Sequence, residues 1–323
     1  MNKPNKIYYF SALYCVVALS GICLAQNVIN KNLVITVADE KKSMAHTAPQ
    51  VTIWVHGTKS MGRISQAIHS SPRGLLSLDH VPKRYRLRDS LHVLAATDPE
   101  RFPLAHFYTF GWSGQLCFDK RKSEAQNLYE SIKKLNKQYQ DSHGMDPEIT
   151  LITHSHGGNL ALNLASVKQV SDNFTLKLIV LACPVQHETE DFVSDALFSR
   201  IYSFYSTSDL IQIIDPQGLY GRGGKEEIRL EFSGRQFPDN PKVCQAELKI
   251  NGYGIAHVGF ILQRFMKLLP ICIEQLDAWI AQDVFQADTT RIMNIQLKDQ
   301  KRWLFDLPVD VDRVKHFFSM LRG

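Results

Sequence analysis

The chain has 323 residues, a formal net charge of +5, and a composition of 44% hydrophobic and 21% charged residues. These values exclude a disordered chain, which could not bury enough apolar surface, and they carry no nucleic-acid footprint, which would need a stronger basic excess. No long segment repeats or is low in complexity, so one large domain is the expectation.

Lys3 and Lys6 precede an apolar run from Ile7 to Leu24, followed by Ala25 and Gln26. The pattern predicts a secretory signal over residues 1–25, with Cys23 and Ala25 at the small-residue positions of the cleavage site. The run is also long enough to serve as an uncleaved anchor. A lipid anchor on Cys23 fits less well, because Ile22 stands where a small residue is needed. The chain is therefore expected to be exported, as a periplasmic, extracellular or membrane-anchored protein, with residues 26–323 forming its domain. Loss of Lys3 and Lys6 would leave a charge of +5 − 2 = +3. Cys117, Cys183, Cys244 and Cys272 allow three pairings; disulfides and buried thiols both remain open, and the spacing has no metal-ligand pattern.

Short apolar runs at Val51–Val55, Ala105–Phe110, Ile149–Thr153, Leu176–Ala182, Ile201–Tyr205 and Cys244–Ile250 predict strands, with further strands at Leu33–Ala38 and Glu227–Phe232. The alternation of Ala246, Leu248 and Ile250 with Glu247 and Lys249 places the Cys244–Ile250 strand near a sheet edge. Helices are predicted at Asp119–Tyr139, Asn159–Val167, Phe192–Phe198, Val258–Ile280 with a kink at Pro270, and Val309–Leu321. The stretch from about 59 to 103 reads as an insertion over one face, and about 283 to 323 as a helical extension. Alternating strands and helices predict an α/β fold, a mostly parallel central sheet with helices on both faces.

The most informative segment is Leu151-Ile-Thr-His-Ser-His-Gly-Gly-Asn-Leu, a strand running into a helix with Ser155 at the turn. It resembles the nucleophile elbow of the alpha/beta-hydrolase superfamily, G-x-S-x-G, with Thr153 replacing the first glycine. The resemblance runs from Val51 to about Leu269 and implies the chain order serine, acid, histidine. It makes Ser155 the nucleophile, Asp209 in Ser206-Thr-Ser-Asp the acid, and His257 in Gly252-Tyr-Gly-Ile-Ala-His the base, with Asp215 and Asp191 as understudies for the acid. A serine is a weak nucleophile until a base takes its proton, and the base needs a third group to fix its tautomer. The resemblance also implies an oxyanion hole from the backbone N–H groups of Thr58 and His156, with His56 supporting the Thr58 loop.

Phe110-Gly-Trp-Ser-Gly-Gln is a rival serine motif, but Gln115 breaks the spacing, so Trp112 and Ser113 read as packing or pocket rim. His154 and His156 flank Ser155 on a turn that splays them apart, and no third metal ligand accompanies them. The aromatics Tyr202, Phe204, Tyr205, Phe260 and Phe265 read as packing residues. Lys83, Arg84, Arg86 and Arg88 read as a solvated face, with a membrane surface as the alternative contact. The expected function is cleavage of carboxylic esters, small-molecule or lipid, through an acyl-enzyme, without metal or organic cofactor. An acyltransferase on the same site, and a non-catalytic membrane-tethered binding protein on the same scaffold, are the alternatives.

Overall fold

A computed structural model describes residues 48–59, 71–213, 215, 236–281 and 291–297. The predicted signal, the strands predicted at 33–38 and 227–232, and the helix predicted at 309–321 lie outside these residues.

The strands are β1 (Gln50–Val55), β2 (Gly74–Ser77), β3 (Phe107–Gly111), β4 (Glu148–His154), β5 (Leu176–Leu181), β6 (Phe198–Tyr205), β7 (Val243–Ile250), β8 (Tyr253–Gly254) and β9 (Ile292–Ile295). They form one sheet in the order β2-β3-β1-β4-β5-β6-β7-β8, with β9 also paired to β7. The pairings among β3, β1, β4, β5, β6, β7 and β9 are parallel, whereas β2 and β8 run antiparallel to their neighbours. The helices are α1 (Leu87–Thr97), α2 (Phe118–His143), α3 (His156–Leu162), α4 (Leu164–Val167), α5 (Leu210–Ile213) and α6 (Gln263–Ala281).

Because side chains alternate along a strand, each strand feeds two apolar layers. Val51, Ile53 and Val55 of β1, Ile149 and Leu151 of β4, and Leu176, Leu178 and Val180 of β5 face one layer. There α2 supplies Ala125, Leu128, Tyr129, Ile132, Leu135 and Tyr139, a stripe at helical spacing. Gly144, at φ 71, closes this helix and returns its N–H to Gln140. Trp54, Ile152, Ile179, Leu181, Tyr202 and Phe204 face the other layer. That side is covered by α1, through Leu87, Leu91 and Leu94, and by α6, through Phe265, Met266, Leu269, Cys272, Ile273 and Leu276. The aromatics Tyr202, Phe204, Tyr205, Phe260 and Phe265 are all buried.

Several elements differ from the sequence reading. The 59–103 stretch carries the edge strand β2 and the helix α1, which crosses between the parallel strands β1 and β3 and packs on α6. Residues 71–103 therefore belong to the doubly wound core, as parallel strands require a crossover. The segment predicted as helix at Phe192–Phe198 is a 3-10 turn at Glu190–Ser194, after which Phe198 opens β6 and buries its ring beside Ile201. The helix predicted from Val258 begins instead at Gln263, after a 3-10 turn at His257–Ile261, and it runs unbroken through Pro270. Strand β7 does lie near a sheet edge, as its alternation predicted, with only the short strands β8 and β9 paired beyond it. Cys117, Cys183, Cys244 and Cys272 are thiols, the last three buried and Cys117 exposed.

Connection order places the site. From β1 the chain passes to β3 on one side, then crosses back to β4 on the other, so the crevice between the carboxyl ends of β1 and β4 is a topological switch point. Val55 and Thr153 are register partners there, and the loops beyond them carry Gly57-Thr58 and Ser155. Close packing of α3 on the sheet depends on Gly158, where an added Cβ would fall 2.6 Å from Cys183 Sγ and 2.9 Å from Val180 Cγ1. Gly158→Ala is expected to destabilise the fold by about 1–3 kcal/mol in urea denaturation, the usual cost of overpacking.

Candidate active site

Ser155 follows β4 directly and precedes α3 at φ 55 and ψ −137, a conformation that only glycine adopts without strain. The turn is held from below, since Ser155 N–H donates to Leu181 O at 2.9 Å and Gly158 N–H donates to Ser155 O at 2.9 Å. Thr153, which replaces the first glycine of the usual motif, is fully buried and its hydroxyl donates to Ile179 O at 3.2 Å. A threonine is tolerated there because its one polar atom is satisfied inside the sheet. Gly157 cannot be larger, as a Cβ would meet Val55 O at 2.6 Å and His56 O at 2.7 Å.

The loop after β1 lies against the serine. A Cβ on Gly57 would fall 2.7 Å from Ser155 Cβ and 3.3 Å from its Oγ, so only glycine lets this backbone pass so close. His56 and Trp112 brace the loop. The Trp112 backbone N–H donates to His56 Nε2 at 3.2 Å, and its indole N–H donates to His56 O at 2.7 Å, with the two rings stacked. With Nε2 accepting, the proton sits on Nδ1 and is donated to Gly57 O at 2.7 Å. Thr58 follows, its hydroxyl buried and making no hydrogen bond among the described residues. Trp112 is thus a buried packing residue; Ser113 is half-buried and accepts from Gln115 N–H at 3.4 Å.

Asp209 sits beyond β6 with none of its surface exposed. Its Oδ1 accepts the backbone N–H groups of Ile211 at 3.0 Å and Gln212 at 3.2 Å, capping the single turn of α5. Its Oδ2 accepts His257 Nδ1–H at 2.7 Å. Ser206 stitches the acid turn to the histidine loop, since its hydroxyl oxygen accepts from Ser208 N–H at 3.2 Å and Ile255 N–H at 2.9 Å. Gly254 makes room for the crossing, as a Cβ there would collide with Ser208 and Ser206.

His257 lies against His154, the residue before Ser155. His154 Nε2–H donates to the His257 backbone O at 3.0 Å, and the two rings lie 4.6 Å apart. Sequence reading placed His154 and His156 on diverging sides of the turn, and they diverge: His156 Nε2 faces Asp215 Oδ1 at 3.1 Å. Asp215, an understudy for the triad acid, therefore partners His156, while Asp191 lies exposed in the 3-10 turn before β6.

Burial pushes the His156 pKa below its ordinary 6.5, against the opposing pull of Asp215. A histidine that resists protonation only when folded leaves the unfolded chain binding more protons below pH 6.5, so its contribution to stability is intact above that pH and is lost as pH falls. His156→Gln is expected to flatten the fall of stability below about pH 6.5, measured by urea midpoints at stepped pH.

A family model described as PGAP1-like alpha/beta domain matches residues 105–212, from just before β3 into α5. The match contains Ser155 and Asp209 and stops short of Thr58 and His257. The chain has the alpha/beta-hydrolase fold. No curated protein matches it in a sequence search. A hydrolase-type scaffold accounts for the strained turn after β4, the buried acid turn after β6 and the histidine beyond β7, all at the carboxyl edge of the sheet. The sequence reading missed Arg121 and Gln186 near His156, and named Asp215 only as an understudy for the acid. One signal was present, since Arg121 and Glu124 fall on the stripe of α2 that otherwise buries apolar residues.

Proposed function

We propose that the chain is a serine hydrolase that cleaves carboxylic esters through an acyl-enzyme. Ser155 is the nucleophile, His257 Nε2 takes its proton, and Asp209 holds the imidazole with Nδ1 protonated. The proton then passes to the leaving alcohol, and water repeats the sequence to release the acid. The backbone N–H groups of Thr58 and His156 receive the charge that develops on the carbonyl oxygen. The observation that carries this reading is the buried 2.7 Å contact between Asp209 Oδ2 and His257 Nδ1, in a fold whose turn after β4 holds a serine at φ 55. A strained serine and a tautomer-fixing carboxylate each cost stability or desolvation, and together they answer the needs of nucleophilic catalysis. Export through residues 1–25 belongs to the same proposal, and small-molecule or lipid esters are its substrates.

The test is mass spectrometry of the folded chain after exposure to a fluorophosphonate. One adduct on Ser155 is the expected result, with Ser113 unmodified. No adduct on folded protein would overturn the reading in favour of a binding protein on a hydrolase scaffold.

A further inference from the structure

We propose that His156 is a positioning residue for this reaction, acting through a buried chain of polar groups that ties its ring to α2. The inference rests on Ser155 being the nucleophile and extends the machinery beyond the triad and its oxyanion donors.

The chain of contacts is continuous. His156 Nε2 meets Asp215 Oδ1 at 3.1 Å, Gln186 Nε2–H donates to Asp215 Oδ2 at 3.2 Å, and Arg121 Nη2–H donates to Gln186 Oε1 at 2.8 Å. His156 and Asp215 are 5% and 4% exposed, Gln186 and Arg121 1% each. The other ring nitrogen is fixed as well. Asn159 Nδ2–H donates to His156 Nδ1 at 3.3 Å and to Pro184 O at 2.9 Å, while Thr189 Oγ1–H donates to Asn159 Oδ1 at 2.6 Å. With Nδ1 accepting, Nε2 carries the proton toward Asp215, so the ring is neutral, in one tautomer and in one orientation.

The groups come from α3, the segment after α5, the loop after β5 and the first turn of α2. One carboxylate and one guanidinium are taken out of water together, bridged by an amide. Burying such groups is costly unless every member is paired, and apolar side chains would fill the same space more cheaply. What the arrangement gains is rigidity at one point. His156 is the residue whose own backbone N–H is assigned to the oxyanion, and a ring clamped at both nitrogens holds that peptide in place. An oxyanion donor displaced by about 1 Å forfeits about 10²-fold in rate.

The experiment compares His156→Ala and His156→Gln in the full chain, using kcat and KM on a p-nitrophenyl ester together with the Ki of a boronic acid that forms a tetrahedral adduct on Ser155. His156→Ala is expected to lower kcat about 10²-fold with KM within about twofold, and to weaken the boronic acid in proportion. His156→Gln, whose side-chain N–H can reach Asp215, recovers most of both. A purely structural role would lower Tm while leaving kcat and Ki of the folded fraction unchanged, and that result overturns the proposal. Should His156→Ala fail to fold, Asp215→Asn, which removes the charge that balances Arg121, is read in the same way. Turnover surviving in Ser155→Ala would remove the reaction itself and, with it, the role given to His156.

Discussion

Ser155→Ala is expected to abolish ester turnover, lowering kcat by about 10⁴–10⁶ while leaving the unfolding free energy within about 0.5 kcal/mol of wild type. The separation of the two effects follows from the turn. The strain at φ 55 and ψ −137 arises from the presence of a Cβ, which alanine keeps. The turn is held through the Ser155 backbone, by Leu181 O and Gly158 N–H, and the substitution leaves those bonds in place. The variant should therefore fold, bind ester and fail only at the step that needs an oxygen nucleophile. Steady-state kinetics beside urea denaturation decides the matter. An active Ser155→Ala protein would remove this serine from the mechanism.

Asp209→Asn is expected to cost about 10⁴ in kcat with little change in stability, and the geometry states why. Oδ1 accepts two backbone N–H groups, from Ile211 and Gln212, and only an oxygen can do so. An asparagine must therefore keep its oxygen there and turn its NH₂ toward His257. The imidazole then has to accept at Nδ1, which moves its proton to Nε2. That nitrogen can no longer receive the serine proton. Fluorophosphonate labelling of Ser155 should slow in parallel with kcat. Equal rates in wild type and Asp209→Asn would assign the tautomer-fixing role elsewhere.

What the sequence made legible was the local and the periodic. Val51–Val55, Ile149–Thr153 and Leu176–Leu181 are apolar on both faces because helices cover both sides of the sheet, and such runs announce buried strands. The elbow was readable because its demands fall on adjacent residues: strand, strained serine, small residues, helix. Helix α1 was hidden in a stretch rich in arginine, where Leu87, Leu91 and Leu94 form only a short stripe. Strands β8 and β9, of two and four residues, are too short for periodicity to register. The bend after β5, where Ala182 takes φ 51, had no glycine to mark it. Least legible was the pairing of His156 with Asp215, which lie 59 positions apart in the chain and meet only through tertiary folding.

The same remoteness has a consequence for how this site comes into being. Its parts are delivered by the ends of β1, β4, β6 and β7, and the bond between Asp209 and His257 alone spans 48 positions of chain. No local segment, not even the elbow with its strand and helix, contains enough to do chemistry. The site is therefore complete only when all four strand ends have been brought together in the sheet. The proposed ester hydrolysis would thus act as a coincidence detector for the whole fold, silent in any partly folded form that has lost even one of those strand ends.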